Sequence, residues 1–291
     1  MKTVNSISGG QTSAYIAANY PADYNIFALV TTDDIKCQYP DAKVRQIVSD
    51  KIGKEFIGTL EEDMIIKTIL DLEQFIGTKI DWVAGKSFDE QVKRYKLNGE
   101  IKTHLPSVMR RTCTVEMKIE PIFEFWKKNI GEITETRIGF RANETSRANA
   151  MTERAKETNG ILTFKSIVGK SENGRNKWKH IPYQIPRFPL IEDNIYKDSI
   201  VEFWKDKPVE FAYMNNCVGC FHRNPIVLKH MSDRHPNKYQ WFVDTEIEGM
   251  KHFNGNNWKQ GMTYEKIRNS FKQTELFDTD FNECDSGYCG L

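Results

Sequence analysis

The chain is organised around one short stretch near its start, Ser8-Gly9-Gly10-Gln11-Thr12-Ser13. This stretch lies between a predicted strand, Thr3 to Ile7, and a helix-like run, Ala14 to Asn19. Paired glycines let a backbone pass close to a bulky anion, and the start of a helix supplies unpaired N–H groups with a partial positive charge. We therefore interpret the stretch as a phosphate-binding loop. An ordinary Gly-Gly turn with a Thr or Ser helix cap is the alternative.

The spacing of the glycines excludes two common phosphate motifs. A Walker loop requires two glycines separated by four residues and then Lys-Ser/Thr, and a dinucleotide fingerprint requires G-x-G-x-x-G. The hexapeptide instead resembles the S-G-G-x-[DT]-S loop of the PP-loop ATP pyrophosphatases, specifically the branch similar to phosphoadenosine-phosphosulfate (PAPS) reductase. This resemblance implies that Ser8, Gly9, Gly10, Gln11, Thr12 and Ser13 bind an adenine nucleotide, supplied as ATP with Mg²⁺.

Strand and helix patterns alternate after the loop. The predicted elements are a strand at Ile26 to Val30, a helix from Asp41, a capping box at Thr59-x-x-Glu62 before a helix through Leu72, a strand at Ile80 to Val83, and a helix capped by Ser87-x-x-Glu90. This alternation favours an α/β fold with a doubly wound, mostly parallel sheet. The resemblance implies a Rossmann-like sheet of the HUP type. We predict a nucleotide-binding domain over residues 1–208 and a small cysteine-bearing region over residues 209–291 that folds back over the site.

Polar residues follow the second predicted strand. Thr31-Thr32-Asp33-Asp34 come directly after Val30. Ligands of open α/β sheets bind at the carboxyl ends of the strands, so we expect Thr31 and Asp33 to reach the sugar or base of a nucleotide. Ordinary turn residues are the alternative.

A basic segment from Arg110 to Pro121 combines two arginines, Cys113 and Lys118. Guanidinium and ammonium groups within about two helical turns suit the binding of phosphates beside a metal-binding cysteine. A solvated basic face with one buried cysteine is the alternative. The segment resembles the C-C-x-x-R-K-x-x-P stretch of sulfonucleotide reductases in its phage-borne form, R-x-C-T followed by Lys and Pro, with one cysteine in place of two.

A third segment follows a predicted strand at Thr136 to Phe140. It resembles the family element G-x-R-x-x-E-S-x-R, in which arginines meet phosphates or sulfate. Gly139, Arg141, Glu144 and Arg147 match this element, and Thr145-Ser146 is a departure from it. The resemblance implies that Lys118, Arg141 and Arg147 offset charge on the phosphates and that Glu144 belongs to the nucleotide site.

The last third of the chain carries two cysteine pairs, Cys217-x-x-Cys220 and Cys284-x4-Cys289. The first spacing lets one turn present two thiolates to one metal, and six cysteines without a secretion signal favour metal or thiol chemistry over disulfides. A structural zinc ion would use all four of these cysteines. A [4Fe-4S] cluster, which the resemblance implies and which we favour, would combine Cys113, Cys217, Cys220 and one tail cysteine. The family's I-G-C-x-x-C-T appears here as V-G-C-F-H-R, so the pair is displaced in register.

A basic hairpin is predicted from Ile161 to Tyr183, with its turn at Asn173-Gly174. Its basic and aromatic residues are Lys165, Lys170, Arg175, Lys177, Lys179, Arg187, Trp178 and Tyr183. Basic side chains interleaved with aromatic ones suit a nucleic-acid backbone and its bases, so residues 165–187 are a candidate nucleic-acid interface. A solvated edge protected by lysines is the alternative.

The composition indicates a globular chain. Of the 291 residues, 39% are hydrophobic and 28% charged, which argues against disorder, and the net charge of +1 requires any nucleic-acid site to be a local patch. The longest apolar runs are too short to span a membrane, and we expect a cytoplasmic protein without a membrane partner.

Three functions are compatible with these features. The first is an ATP pyrophosphatase that adenylylates a substrate, with a link to sulfur transfer and sulfur metabolism. The second is an APS or PAPS reductase in which Cys284, in a faint likeness of the reductase tail E-C-G-L-H, attacks sulfur. The third is a non-catalytic nucleotide-binding subunit, since Thr12 stands where many pyrophosphatases have Asp.

Overall fold

A computed structural model describes residues 1–96, 99–253 and 256–270 of the chain. The strands in these ranges are β1 (Thr3–Ile7), β2 (Tyr24–Ala28), β3 (Ile80–Val83), β4 (Lys93–Tyr95), β5 (Ile101–Thr103), β6 (Thr134–Arg137), β7 (Leu162–Lys170) and β8 (Asn176–Arg187). Six of them form one sheet in the order β3-β2-β1-β6-β8-β7, and β4 and β5 form a separate antiparallel pair. All neighbours in the large sheet are parallel except β7 and β8. The predicted α/β class with a mostly parallel sheet is therefore confirmed.

The helices in the described ranges are α1 (Gln11–Asn19), α2 (Ala42–Ile52), α3 (Met64–Ile76), α4 (Phe88–Gln91), α5 (Thr112–Thr114), α6 (Glu120–Asn129), α7 (Thr145–Ala155), α8 (Pro189–Glu192), α9 (Lys197–Trp204), α10 (Pro225–Arg234), α11 (Pro236–His252) and α12 (Tyr264–Arg268). A π-helical segment, Val115–Ile119, joins α5 to α6. No helix in the part of the chain that is described is both long and apolar enough to cross a membrane.

Alternating side chains of the central strands cover the two faces of the sheet. Phe27 and Leu29 belong to a buried cluster with side chains of α1, α2, α3 and α9. Ile26 and Ala28 belong to a cluster on the opposite face, against Ile122 and Phe125 of α6. Successive residues of a strand point to opposite faces, and this period of two buries apolar side chains under helices on both sides.

The local predictions near the loop are confirmed in part, because β2 spans Tyr24–Ala28 rather than Ile26 to Val30 and β6 spans Thr134–Arg137 rather than Thr136 to Phe140. β1 and β3 have the predicted bounds, and Ser87 and Glu90 form the predicted capping box of α4. The capping box predicted at Thr59 and Glu62 is wrong, because α3 begins at Met64 and its N-cap residue is Asp63. Glu62 instead accepts hydrogen bonds from Met214 N–H at 2.5 Å and from His235 Nε2 at 3.1 Å. Long-range partners have replaced the local cap.

One cluster of buried side chains includes residues from both sides of residue 208. Val30, Leu60, Phe88 and Met117 pack in it with aromatic and aliphatic side chains of residues 214–267, among them Phe242. The cysteine-bearing region thus shares a core with the carboxyl edge of the sheet.

The predicted hairpin is present as β7 and β8, but it does not gather all of its basic and aromatic residues. Tyr183 is buried against Phe123 and Trp126, in the body of the protein. Arg187 lies at the far end of β8, where it pairs with Glu135 at 3.2 Å. The prediction that both residues belong to a basic aromatic surface is therefore wrong.

Candidate functional site

The loop of residues 8–13 and the segment after β6 meet at one edge of the sheet. The strand order reverses between β1 and β6, which are parallel neighbours, so their carboxyl ends form the crevice in which open α/β sheets bind ligands. Gly139, just beyond β6, lies against the start of α1: a Cβ on it would be 3.3 Å from Thr12 Cγ2 and 3.5 Å from Ser13 N. Two motifs separated by more than 120 residues in sequence are therefore in direct contact.

The loop has the conformation that its glycines predict. Gly9 has a φ of +79°, and Gly10, in an extended conformation, is the N-cap residue of α1. The alternative of a Thr or Ser cap is thus wrong. Ser13 closes the loop, since its hydroxyl accepts hydrogen bonds from the Ser8 amide (3.1 Å) and hydroxyl (3.0 Å) and donates to Gly10 O (3.0 Å). Ser13 is buried, so its hydroxyl fixes the conformation of the loop from the side that faces the protein interior.

Arg141 and Arg147 are held by one carboxylate. Glu144 accepts from Arg141 N and Nε, both at 3.0 Å, and from Arg147 Nη1 at 2.5 Å. The Arg147 guanidinium also lies 4.5 Å from the centroid of the Phe140 ring. Burial alone would raise the pKa of Glu144, but the hydrogen bonds and charges of the two arginines outweigh it and hold that pKa below its ordinary value. Glu144 therefore fixes two cations in the segment that follows Gly139, a role that the match to the family element did not specify.

Two of the residues after β2, Thr31 and Asp33, were predicted to bind a nucleotide, and the structure places Thr31 in the interior and Asp33 at the surface. Thr31 is 4% exposed, and its hydroxyl has no hydrogen-bond partner among the described residues. Buried hydroxyls are normally paired, so a ligand or an ordered water is the expected partner. Asp33 is exposed and accepts a hydrogen bond from Ser87 Oγ at 2.5 Å. Its amide donates to Asp89, which also binds Thr32 Oγ1 at 2.7 Å.

Lys118 connects the loop to the cysteine-bearing region. Its Nζ lies 3.0 Å from Glu61 Oε1, and Glu61 is 2% exposed. Burial would lower the pKa of Lys118, but the Glu61 carboxylate outweighs it and raises that pKa, so the ammonium is retained. Lys118 and Thr114 line a small cavity with Ser8 and also a larger cavity with the cysteines. Thr114 and Lys118 thus form a wall that the small cavity beside Ser8 shares with the cysteine cavity.

Cys113, Cys217 and Cys220 line this second cavity, which has a volume of about 50 Å³. Arg111 and His222 lie at the same cavity, and Phe88, Phe242 and Trp258 supply apolar walls. Three of the five predicted ligands therefore converge, from the helical segment after Arg111 and from the turn of residues 217–220. Cys284 and Cys289 lie outside the described residues. Cys37 is buried elsewhere, as predicted, with its Sγ 3.8 Å from Asn237 O.

The turn of residues 217–220 is fixed by its neighbours. Val218 N–H donates to Leu60 O at 2.8 Å, and Tyr264 Oη donates to Gly219 O at 3.0 Å. A Cβ on Gly219 would lie 2.4 Å from Phe242 Cγ, so only glycine fits against that ring. The two thiols are consequently presented to the cavity by a turn whose backbone has little freedom.

Burial controls the chemistry of these thiols. It raises the pKa of Cys113 to about 11 and raises the pKa of Cys217 well above its ordinary value, and neighbouring cysteines add to both shifts. Buried thiols without a cation therefore stay protonated, whereas a bound metal or cluster favours their thiolates. Burial also lowers the pKa of the Arg111 guanidinium. In the described ranges, no three His, Cys, Asp or Glu side chains are arranged as ligands of a single metal ion.

Sequence reasoning missed several residues that shape the site. Glu61 and Asp89 hold Lys118 and the turn after β2, yet nothing in their sequence context distinguishes them from other surface-type acids. Arg111 belongs to the basic segment from Arg110 to Pro121, but its place at the cavity was not predicted. Its place at the cavity could have been inferred from its position two residues before Cys113.

Comparisons of the sequence and of the structure with known proteins identify no related protein. No protein-family model, no curated protein and no solved structure matches the chain. The interpretation of the site therefore depends on its own geometry.

Proposed function

We propose that the protein is a PP-loop enzyme, similar to the PAPS reductase-like branch, that acts at the α-phosphate of ATP. The observation that carries this proposal is the contact of Gly139 with Thr12 and Ser13, which brings the Ser8–Ser13 loop and the Arg141–Arg147 segment to one switch point. A phosphate-binding loop and two fixed guanidinium groups at a crevice suit a polyphosphate. A HUP-type sheet is part of the same proposal.

Each group of residues has a separate role in the proposed reaction. The amides at the start of α1 bind the β- and γ-phosphates, and an acceptor attacks the α-phosphorus while the bond to the bridging oxygen of pyrophosphate breaks. Arg141, Arg147 and Lys118 offset the charge that builds on the leaving pyrophosphate. Thr31, whose buried hydroxyl has no described partner, binds the nucleoside. Mg²⁺ bound with ATP supplies further neutralisation of the phosphates.

The cysteine cavity fits a metal centre in its donor chemistry. Cys113 is the discriminating residue, because the cluster set includes it and the zinc set does not, and Cys113 shares a cavity with Cys217 and Cys220. This convergence supports the [4Fe-4S] set, with a tail cysteine as the fourth ligand. Such a cluster, when bound, would supply sulfur or electron transfer beside the nucleotide.

The first experiment measures pyrophosphate release from ATP with Mg²⁺. The wild type is expected to release pyrophosphate, and Gly10→Val and Ser13→Ala are expected to abolish the release because they fill or open the loop. Arg147→Gln should reduce the rate by about 10²-fold or more, as the loss of one charged donor in a preorganised site does. Lys156→Gln, which removes an exposed cation paired with Glu153, is the matched control and should have no effect.

Other outcomes of this experiment separate the alternatives. ATP binding by calorimetry without any product supports a non-catalytic nucleotide-binding subunit. Sulfite release from APS or PAPS with thioredoxin, lost in Cys284→Ser, supports a sulfonucleotide reductase. No binding of any of these nucleotides contradicts the proposal.

The second experiment identifies the metal. Protein purified without oxygen is expected to be brown and to contain iron and acid-labile sulfide. Cys113→Ser should lose the iron, and Cys37→Ser, a matched substitution at a buried cysteine that does not line the cavity, should retain it. A colourless zinc protein whose metal content is unchanged by Cys113→Ser contradicts the cluster.

A further inference from the structure

The hairpin formed by β7 and β8 extends beyond the sheet. Only residues 184–187 of β8 pair with β6, whereas Asn176 to Pro182 pair with β7 alone. We call residues Lys165–His180 the arm. Both faces of the arm are exposed to solvent. Ser166, which is buried, and Ser171, which is half-buried, are the exceptions. It is therefore a two-stranded ribbon in solvent rather than an edge of the packed sheet.

The arm points away from the nucleotide crevice. β8 is parallel to β6, and Arg187 pairs with Arg137 at the carboxyl edge where the loop lies. Lys177 precedes Arg187 by ten residues, so the tip is about 33 Å from that edge at ~3.3 Å per residue. A ligand of the arm is therefore bound separately from ATP.

The arm is strongly basic. Its cations are Lys165, Lys170, Arg175, Lys177 and Lys179, and its only acid is Glu172. Lysines alone would be explained by protection of strand edges from aggregation. A local charge of this size, on a chain with a net charge of +1, nevertheless matches a polyanion.

Exposed apolar side chains lie among these cations. Trp178 is 56% exposed and pairs across the strands with Ile167, which is also exposed, as is Val168 at the bulge beside it. Lys165 Nζ lies 5.6 Å from the centroid of the Trp178 ring. Edge protection does not require an exposed tryptophan, whereas a base-stacking surface does.

We propose that the arm binds single-stranded nucleic acid. Its lysines contact the phosphate backbone and Trp178 stacks on an unpaired base, which a base-paired duplex would not offer. Lys177 and Lys179 flank Trp178 on β8 and therefore lie on the opposite face of the ribbon, whereas Lys165 shares the face of Trp178. The backbone of the bound strand thus passes Lys165 beside Trp178 and crosses the exposed edge of the ribbon to the other two lysines. The proposal is independent of the proposed function, because the arm and the crevice lie at opposite ends of β8.

The test is fluorescence anisotropy with a labelled single-stranded DNA of about 20 nucleotides, longer than the ~16 nucleotides of the largest sites of this type. The full chain is used without ATP. We expect a Kd of about 1–100 µM that weakens with salt, and Lys177→Glu/Lys179→Glu should weaken binding at least tenfold. The salt dependence in that variant should be smaller by about 0.7 in slope for each phosphate that a lysine no longer neutralises. Trp178→Ala should weaken binding by about tenfold or more with an unchanged salt slope.

The control is Lys127→Glu/Lys128→Glu, an equal change of charge at exposed positions on α6, and it should bind like the wild type. Equal loss of binding in this control would overturn the proposal by showing that net charge alone matters. Duplex binding as tight as single-strand binding with no effect of Trp178→Ala would also overturn it. So would binding to phosphatidylserine vesicles that depends on the arm while DNA binding is absent. Pyrophosphate release is measured on the same variants, so a failure of the ATP chemistry would be visible separately.

Discussion

At the scale of single residues, Gly9 is the position with the least tolerance in the loop. It combines a φ of +79° with a close approach, since a Cβ would lie 2.7 Å from Ile65 Cγ2. Gly9→Ala is therefore expected to lower the free energy of unfolding by about 1–2 kcal/mol for the left-handed backbone and by a further ~1–3 kcal/mol for overpacking. Urea unfolding measures this loss, and calorimetry should show that ATP binding is lost with it.

Gly53 provides the matched control for Gly9. It has a φ of +69° at the end of α2, and a Cβ there would meet nothing within 4 Å. Gly53→Ala should cost only the backbone part, about 1–2 kcal/mol. Equal losses in the two variants would show that contact with Ile65 does not constrain the loop.

The pair of Lys118 and Glu61 makes a second prediction at this scale. Removing one partner leaves a buried charge uncompensated, so Lys118→Met is expected to lower the free energy of unfolding by about 3–5 kcal/mol. Lys118→Met/Glu61→Gln should recover most of that loss, because neither charge then remains. Unfolding curves of the two single variants and the double variant give the coupling energy.

Activity separates the structural role of Lys118 from its proposed chemical one. The double variant should be folded and yet release pyrophosphate much more slowly than the wild type. A loss of less than about 1 kcal/mol in Lys118→Met would instead indicate that water reaches the pair. Full activity in the double variant would remove Lys118 from the reaction.

Single residues also mark where sequence reasoning ends. The backbone conformation at Gly9 was predictable, because a positive φ and close backbone approach are local properties of glycine. The role of Ser13 was not, since its partners, Ser8 and Gly10 O, are set only when the loop closes. The partners of Glu62 are 152 and 173 residues away, and no local pattern encodes them.

At the scale of elements, Glu62 ties the segment before α3 to the junction of α10 and α11 through His235. Burial would raise the pKa of Glu62, but the hydrogen bonds from His235 and Met214 N–H outweigh it and lower that pKa below 4.5. A carboxyl with a lowered folded-state pKa stabilises the protein above its unfolded value, and this contribution is lost as pH falls through the folded value. The wild type should therefore lose stability below about pH 4.5 more steeply than Glu62→Gln does.

Urea unfolding between about pH 7 and pH 3, a range that extends below the unfolded pKa of the carboxyl, measures this difference. Glu62→Gln should cost about 1.5–3 kcal/mol near neutral pH, the range for hydrogen bonds to a charged group. Glu55→Gln, a change at an exposed glutamate before α3, should leave the pH profile like that of the wild type. Identical pH profiles for Glu62→Gln and the wild type would contradict the role of this carboxylate.

Helices and strands were predicted best where the residues that determine them are close together in the sequence. β1 and β3 are short segments whose apolar residues are flanked by polar or turn residues, and their bounds were correct, whereas the apolar run Ile26 to Val30 was predicted two residues too late. The hairpin was also predicted from its Asn-Gly turn, because that dipeptide sets the chain reversal locally. Its projection beyond the sheet was not predictable, since this depends on where β6 stops pairing with β8.

At the scale of the whole molecule, the alternation of strands and helices was sufficient to predict a mostly parallel sheet, because crossover connections leave few arrangements open. The relation of the cysteine-bearing region to that sheet was not predictable in the same way. The apolar residues of this region predict that some of its side chains are buried, but they do not identify the surface against which those side chains pack. The structure brings Phe242 and Trp258 against Phe88, at the carboxyl edge of the sheet.

This shared core predicts the behaviour of a shortened chain. A fragment of residues 1–208 would expose Val30, Leu60, Phe88 and Met117, which are buried under residues 214–267 in the full chain. A contiguous apolar surface of this kind drives association, and the loss of its burial removes stabilisation that a marginally stable domain needs. We expect the fragment to aggregate or to unfold without cooperativity, whereas a chain of residues 1–270 should unfold cooperatively. Size-exclusion chromatography and thermal unfolding compare the two. If the shorter fragment is monomeric and unfolds at the same temperature as the longer one, residues 209–270 form an independent unit, and the cysteine cavity depends on docking rather than on a common core.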